Sequence, residues 1–112
     1  MREDGKIDYI EFPAKDLTAA KGFYAAAFGW VFTDYGPDYA AFDGAAMDGG
    51  FNAEDAVPAP LVILYAHDLE AMQARIEAAG GQIVREIRAF PGGRRFHFRD
   101  PAGNVLGVWS AN

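Results

Sequence analysis

The sequence contains no cysteine. Disulfide frameworks, thiolate metal sites and cysteine nucleophiles are therefore excluded, whatever the fold. Also missing is any apolar run near the roughly 20 residues that a membrane-spanning helix needs. The opening MREDGKIDY has no apolar core of the kind a secretory signal requires. A soluble, cytoplasmic protein with no membrane partner is expected. Basic charge is scarce as well: ten Lys and Arg stand against sixteen Asp and Glu, giving a net charge of −6. Such a balance repels phosphates, which argues against nucleic acid as a partner, and it favours a cationic ligand.

What is present suits a folded core. Of 112 residues, 51% are apolar and 14% aromatic, a composition far from that of disordered chains. A chain of this length fits one compact domain, which buries about 65% of its unfolded-state surface.

That single domain, residues 1–112, is internally duplicated. YIEFPAKDLTAAKGFYAAAFGW and LVILYAHDLEAMQARIEAAGGQ align without a gap from Tyr9 and Leu61. Asp16 and Asp68, Leu17 and Leu69, Ala26 and Ala78, and Gly29 and Gly81 coincide. In each copy a strand-like stretch leads to Asp-Leu, with the Asp suited to cap the helix that follows. The spacing puts Ala20, Phe23, Ala27 and Phe28 on one face of the first helix, and Leu69, Met72, Ile76 and Ala79 on one face of the second. Glycine closes each helix, at Gly29 and at Gly80-Gly81.

Strand and turn signals follow each helix. WVFTDY, DYAAF and AAMDGGF are punctuated by GP and DG; QIVREIRAF, RRFHFR and NVLGVW are punctuated by PGG and DPAG. Pro101 and Gly103 suit the second and fourth positions of a type I turn beginning at Asp100. The fold class expected is therefore α+β, with two βαβββ modules at about residues 5–56 and 57–112. A ferredoxin-like domain whose halves match by accident is the alternative.

The duplicated pattern, together with DLTAAKGFYAAAFGW and FRDPAGNVLGVW, resembles the vicinal oxygen chelate superfamily. That superfamily contains glyoxalase I, bleomycin-resistance proteins and extradiol dioxygenases. The resemblance covers essentially the whole chain and is specific for a fold rather than for an activity. It implies a glyoxalase-like, cup-shaped mixed sheet around a ligand, with helices outside, and it favours a homodimer.

Strand alternation then assigns side chains to faces. Ile10, Phe12, Val62, Leu64, Phe96 and Phe98 suit the helix-facing core. Tyr9, Glu11 and Pro13, then Leu61, Ile63 and Tyr65, then Arg95, His97, Arg99, Gly107 and Trp109 fall on the opposite, ligand-facing side. Of these, Tyr9, Glu11, Leu61, Ile63, Tyr65, Arg95, His97 and Trp109 are the candidate ligand-binding residues. Metal-dependent members of the superfamily place His, Gln or Glu at four positions, on the first and last strands of each module. Here the resemblance puts Tyr9, Leu61, Gly107 and a residue near Asp48 or Gly49 at those positions. Leu and Gly have no donor, so neither a metal nor another cofactor is expected.

Three functions remain open. The first is a small-molecule binding protein resembling bleomycin-resistance proteins, which sequesters its ligand. The second is a metal-free isomerase or lyase with Glu11 and His97 as its acid and base. The third is a metalloenzyme with rearranged ligands His97, Glu11 and Asp48. PGGRR is a further candidate, as an anion cradle, whereas His67 reads as a solvated loop residue.

Overall fold

The computed structural model describes residues 2–54 and 59–112. Ten elements follow one another: β1 Ile7–Pro13, α1 Leu17–Phe28, β2 Val31–Asp34, β3 Tyr39–Asp43, β4 Gly49–Asn52, β5 Leu61–Tyr65, α2 Leu69–Ala78, β6 Gln82–Phe90, β7 Gly93–Arg99 and β8 Val105–Ser110. The chain divides into two compact units, one of residues 9–61 and one that joins the N-terminal residues through Asp8 to Val62–Asn112. The expected boundary between modules, at residues 56 and 57, lies outside the described residues.

Within the first unit the strand order is β2-β3-β4-β1, with β1 parallel to β4 and the other neighbours antiparallel. The second unit repeats it as β6-β7-β8-β5, with β5 parallel to β8. Identical order in both halves is the signature of the duplicated βαβββ unit. Both helices begin at the Leu of Asp-Leu. Asp16 accepts a hydrogen bond from the Ala19 N–H at 3.0 Å, and Asp68 does the same for Ala71 at 3.0 Å. Each cap satisfies one of the first-turn N–H groups that no helical carbonyl can reach.

The first module's core is aromatic. Phe12, Phe42 and Phe51 meet across the sheet, and Tyr24 of α1 lies on Phe51 with ring centroids 5.2 Å apart. Tyr24 also stacks on Trp30 at 4.8 Å. This arrangement corrects the expected helix face. Leu17, Ala20 and Tyr24 turn toward the sheet, while Phe23 and Phe28 are 59% and 63% exposed. Apolar spacing alone admits either stripe. The wide Tyr24 ring, held between Trp30 and Phe51, decides which is used.

The second module's core is aliphatic around two rings. Leu69 and Met72 of α2 pack with Phe96, Phe98 and Val108, bordered by Leu64, Ile76, Ile83, Ile87 and Leu106. Arg94 ties β7 to α2 through a two-pronged contact with Glu70, one prong at 3.0 Å, and also donates to the Asn112 carbonyl. The guanidinium bond holds the Glu70 carboxyl below its usual range. Arg94 is thus committed to the helix side, so PGGRR does not present it as an anion cradle. Gly93 has φ 154°, and a Cβ there would fall 2.0 Å from the Ser110 carbonyl oxygen. Only glycine lets β7 start so close to the end of β8.

His67 is exposed and fastens the ends of the chain. Its N–H donates to Asp4 at 2.7 Å, and its carbonyl accepts from Ser110 and Asn112. The turn from Asp100 to Gly103 forms as its sequence predicts, with the Gly103 N–H donating to the Asp100 carbonyl at 3.0 Å. By contrast, the DG signal at Asp43-Gly44 opens a longer loop: β4 starts only at Gly49, so Ala45 to Met47 are not strand.

Two outcomes are expected. Phe96→Ala should lower stability in urea denaturation by about 3–5 kcal/mol, the cost of removing a fully buried ring. The Asp100 carboxyl is held below its usual range, first by the Asn104 N–H and then by the Asn104 side chain. A lowered native pKa stabilises above the unfolded value and ceases to do so as pH falls through the native one. The stability gap between wild type and Asp100→Ala should be full at neutral pH and should narrow in strong acid.

Candidate functional site

Each module has a sheet face that its own helix does not cover. In the first module that face is set by Gly50. A Cβ at Gly50 would fall 2.6 Å from the Tyr39 hydroxyl oxygen and 2.7 Å from that of Tyr9. Those two hydroxyls share a hydrogen bond directly over the glycine. Beside them Glu11 lies across from Gly50 in the parallel ladder. Its side chain is 1% exposed, and its Oε1 accepts from the Asn52 amide at 2.9 Å. Tyr9, Glu11 and Pro13 therefore project away from Phe12, as alternation predicts.

In the second module the ladder arranges side chains in two rows across the sheet. Ile63 is level with Gly107, then His97, then Arg85. Tyr65 is level with Trp109, then Arg95, then Arg88. Phe96 and Phe98 occupy the opposite face with α2, so both rows lie on the face without the helix. His97 is 5% exposed, and its Nε2 is 3.0 Å from the Arg95 guanidinium. Arginine can only donate, so Nε2 accepts and the ring proton sits on Nδ1. Trp109 donates from Nε1 to Asp8 at 2.9 Å and meets Tyr65 edge-on at 5.4 Å. Arg2 also reaches Asp8, at 3.2 Å, and lies 5.0 Å over the Trp109 ring. Phe90 closes the row's end, 6.2 Å from Trp109 and 5.9 Å from the Arg95 guanidinium.

Leu61 and Ile63 are buried, at 1% and 3% exposure. Tyr39, Asn52, Arg85 and Arg88 are among the participants that were not sequence-based candidates. Tyr39 faces Asn52 only through the β3–β4 register. The two arginines are three residues apart, which alternation assigns to opposite faces. Register shifts between Ile83 and Arg85, and between Arg85 and Arg88, bring both to one side.

The geometry also fixes the fourth superfamily metal position. Ile63 is level with Gly107, and Glu11, its repeat counterpart, is level with Gly50. The residue is therefore Gly50 rather than Asp48 or Gly49. Asp48 lines an apolar hollow with Ile10, Phe12, Trp30 and Phe42. Glu11 leaves β1 on the face away from Phe12. The set His97, Glu11 and Asp48 thus fails within the first module, because two of its carboxylates are on opposite faces. Among the described residues, no three of His, Asp and Glu are grouped to hold a metal ion.

Residues 6–108 match the Glyoxalase/Bleomycin resistance protein/Dioxygenase superfamily. The chain belongs to this superfamily. It is 27% identical, over 128 residues, to the anthracycline biosynthesis protein DnrV of Streptomyces peucetius, an alignment covering 94% of this chain and 46% of that one. The chain thus spans about half the length of the curated relatives it matches. Among solved structures, the Mn(II)-bound glyoxalase from Novosphingobium aromaticivorans is 26% identical with a TM-score of 0.68, covering 99% of this chain and 40% of that one. Methylmalonyl-CoA epimerase from Mycobacterium tuberculosis shares the fold, with a TM-score of 0.75 at 16% identity, covering 98% and 90% of the two chains. The superfamily's metal does not fit the residues here: Gly50, Leu61 and Gly107 offer no side-chain donor, and the Tyr9 hydroxyl is engaged by Tyr39.

Proposed function

We propose that this protein binds a small organic molecule on the helix-free faces of its sheets, without a metal, and sequesters it as bleomycin-resistance proteins do. One observation supports this above the rest. Where metal-dependent members of the superfamily carry ligands, this chain has Tyr9, Gly50, Leu61 and Gly107. A catalytic divalent ion needs about three protein ligands, and three of these four residues can supply none. In their place are aromatic and apolar surfaces with a few oriented polar groups, the composition of small-molecule sites.

A metal-free isomerase or lyase is the second reading, and Glu11 is what favours it. A buried carboxylate with one oxygen held by an amide is pre-positioned to move a proton at carbon beside a carbonyl. His97, whose Nε2 already accepts from Arg95, fits a hydrogen-bonding role better than that of a base.

A homodimer is proposed as the working assembly. Phe23 and Phe28 are largely exposed and their rings meet at 6.2 Å, with Val31 also 66% exposed nearby in sequence. One apolar stripe on one helix can meet its own copy across a twofold axis, removing a patch that a monomer would leave in water. Sedimentation should give twice the chain mass, and Phe28→Asp should give a folded monomer.

Chelator-treated protein titrated with Mn(II), Ni(II) or Zn(II) should show no stoichiometric site in calorimetry. A one-to-one site would overturn the metal-free reading. Crystals soaked with a diverse fragment set should show occupants on the helix-free faces. For such a fragment, His97→Asn should weaken binding by about 1–2 kcal/mol, the scale of one polar contact. For the enzyme reading the variant is Glu11→Gln: a fall in turnover of roughly 10²–10⁴-fold at unchanged affinity would establish the enzyme instead.

A further inference from the structure

We propose that the apolar hollow on the helix-bearing side of the first module is a second binding site, for a small organic ammonium ion. It goes beyond the ligand reading above, because it lies on the sheet face opposite Glu11 and uses none of the same side chains. The hollow has a volume of about 180 Å³ and is lined chiefly by Ile10, Phe12, Trp30, Phe42, Met47 and Asp48. An apolar cavity of roughly 150 Å³ holds one benzene ring. The space thus admits a single ring with a short polar arm and is too small for a drug-sized molecule.

The repeat shows that the fold does not require this opening. In the second module Phe96 and Val108 are fully covered, and α2 buries Leu69 and Met72. By contrast, α1 buries none of its residues, and Ile10, Phe12 and Trp30 are only partly buried. Leaving ring surface open forgoes the stabilisation that covering it would bring. The opening is also held in shape. Tyr24 stacks on Trp30 at 4.8 Å, and Trp30 meets Phe42 at 4.6 Å. Phe42 can lie so close to β4 only because residue 49 is glycine: a Cβ there would strike the Phe42 ring and the Ile10 carbonyl. The loop before β4 carries Ala46 at φ 72°, a left-handed conformation that a side chain makes costly. Strain of that kind persists where surrounding contacts impose it, and it gathers at ligand sites.

The lining indicates the ligand's charge. Asp48 is the one ionisable residue in it, beside three aromatic rings. Its backbone carbonyl accepts from the Ile10 N–H at 3.1 Å, which pins it to β1. Its side chain is exposed and, among the described residues, makes no hydrogen bond or ion pair. Indole and phenyl rings are negative over their faces and attract an ammonium group, and the carboxylate attracts it from further away. The net charge of −6 adds to both. An anion would be repelled by all three. A neutral molecule would gain only the apolar contacts.

Benzylammonium, benzyl alcohol and benzoate share one ring and differ in charge. The sequence has two tryptophans, Trp30 and Trp109, so heteronuclear NMR of the full chain gives two indole N–H signals, which Trp109→Phe assigns. Benzylammonium should shift the Trp30 signal and leave that of Trp109 in place. It should bind more tightly than benzyl alcohol, with benzoate weakest, a ranking that needs no variant. Asp48→Ser should weaken benzylammonium about fivefold, the scale of one exposed ion pair, and leave benzyl alcohol unchanged. Asp38→Asn, which removes the same charge from another exposed position of the module, should have no effect. If benzyl alcohol or benzoate binds as tightly as benzylammonium, the proposal is overturned. The same follows if benzylammonium moves the Trp109 signal instead, if Asp48→Ser keeps the preference, or if Asp38→Asn costs as much. If none of the three probes moves the Trp30 signal, the hollow is not a ligand site, and binding on the helix-free faces is untouched.

Discussion

Phe96 and Phe98 sit under α2 with Leu69, Met72 and Val108, and much of the second module depends on that contact. A strand has only two faces, so burying these two rings sends Arg95 and His97 to the other side. The β7–β8 register then makes Trp109 level with Arg95 and Gly107 level with His97. Each of these placements follows from one hydrophobic commitment. The first module reaches the equivalent state with different material. There Tyr24, Trp30, Phe42 and Phe51 provide the wedge, and Tyr9, Glu11, Tyr39 and Asn52 are what it leaves on the opposite face.

The two helix-free faces differ in chemical character. The first module offers hydroxyls, an amide and a buried carboxylate; the second offers guanidinium groups, an imidazole and indole and phenyl rings. Duplication supplied the same backbone twice, and substitution made one copy acidic and the other basic. In this superfamily metal sites draw on the first and last strands of both modules. Here Gly50 and Gly107 occupy the last-strand positions, and at Gly50 the space that a donor would need is filled by the Tyr9 and Tyr39 hydroxyls. That steric fact is a stronger statement than the lack of a donor, since a Glu at residue 50 would displace a tyrosine before it could coordinate anything.

Much of this was legible in the sequence. The paired Asp-Leu motifs located both helix starts, and alternation around Phe96 and Phe98 placed His97 and Arg95 on the correct face. That the two halves share one strand order was accessible, because the repeat demanded it. Other features depend on geometry that one-dimensional patterns do not encode. Phe23 and Tyr24 are adjacent, and only the fit of Tyr24 against Trp30 and Phe51 determines which of them packs on the sheet. Gly50, level with Glu11 as Gly107 is with Ile63, comes just after Asp48 and Gly49, because the Gly44–Asp48 loop is longer than its DG signal implies.

The irregular pairing of β6 has an evolutionary consequence. Nine residues of β6 run against seven of β7, with the extra length absorbed at two places. Since the core contacts of β6 are made by Ile83 and Ile87, which bracket Arg85, this excess is slack that the fold tolerates. Losing one residue at a shift would restore plain two-for-two pairing there, with Arg85 still opposite His97 and Arg88 still opposite Arg95, and with β7, β8 and α2 undisturbed. A strand one residue shorter can therefore carry the same side chains on the same face, so a gap in an alignment here need not mean a changed surface.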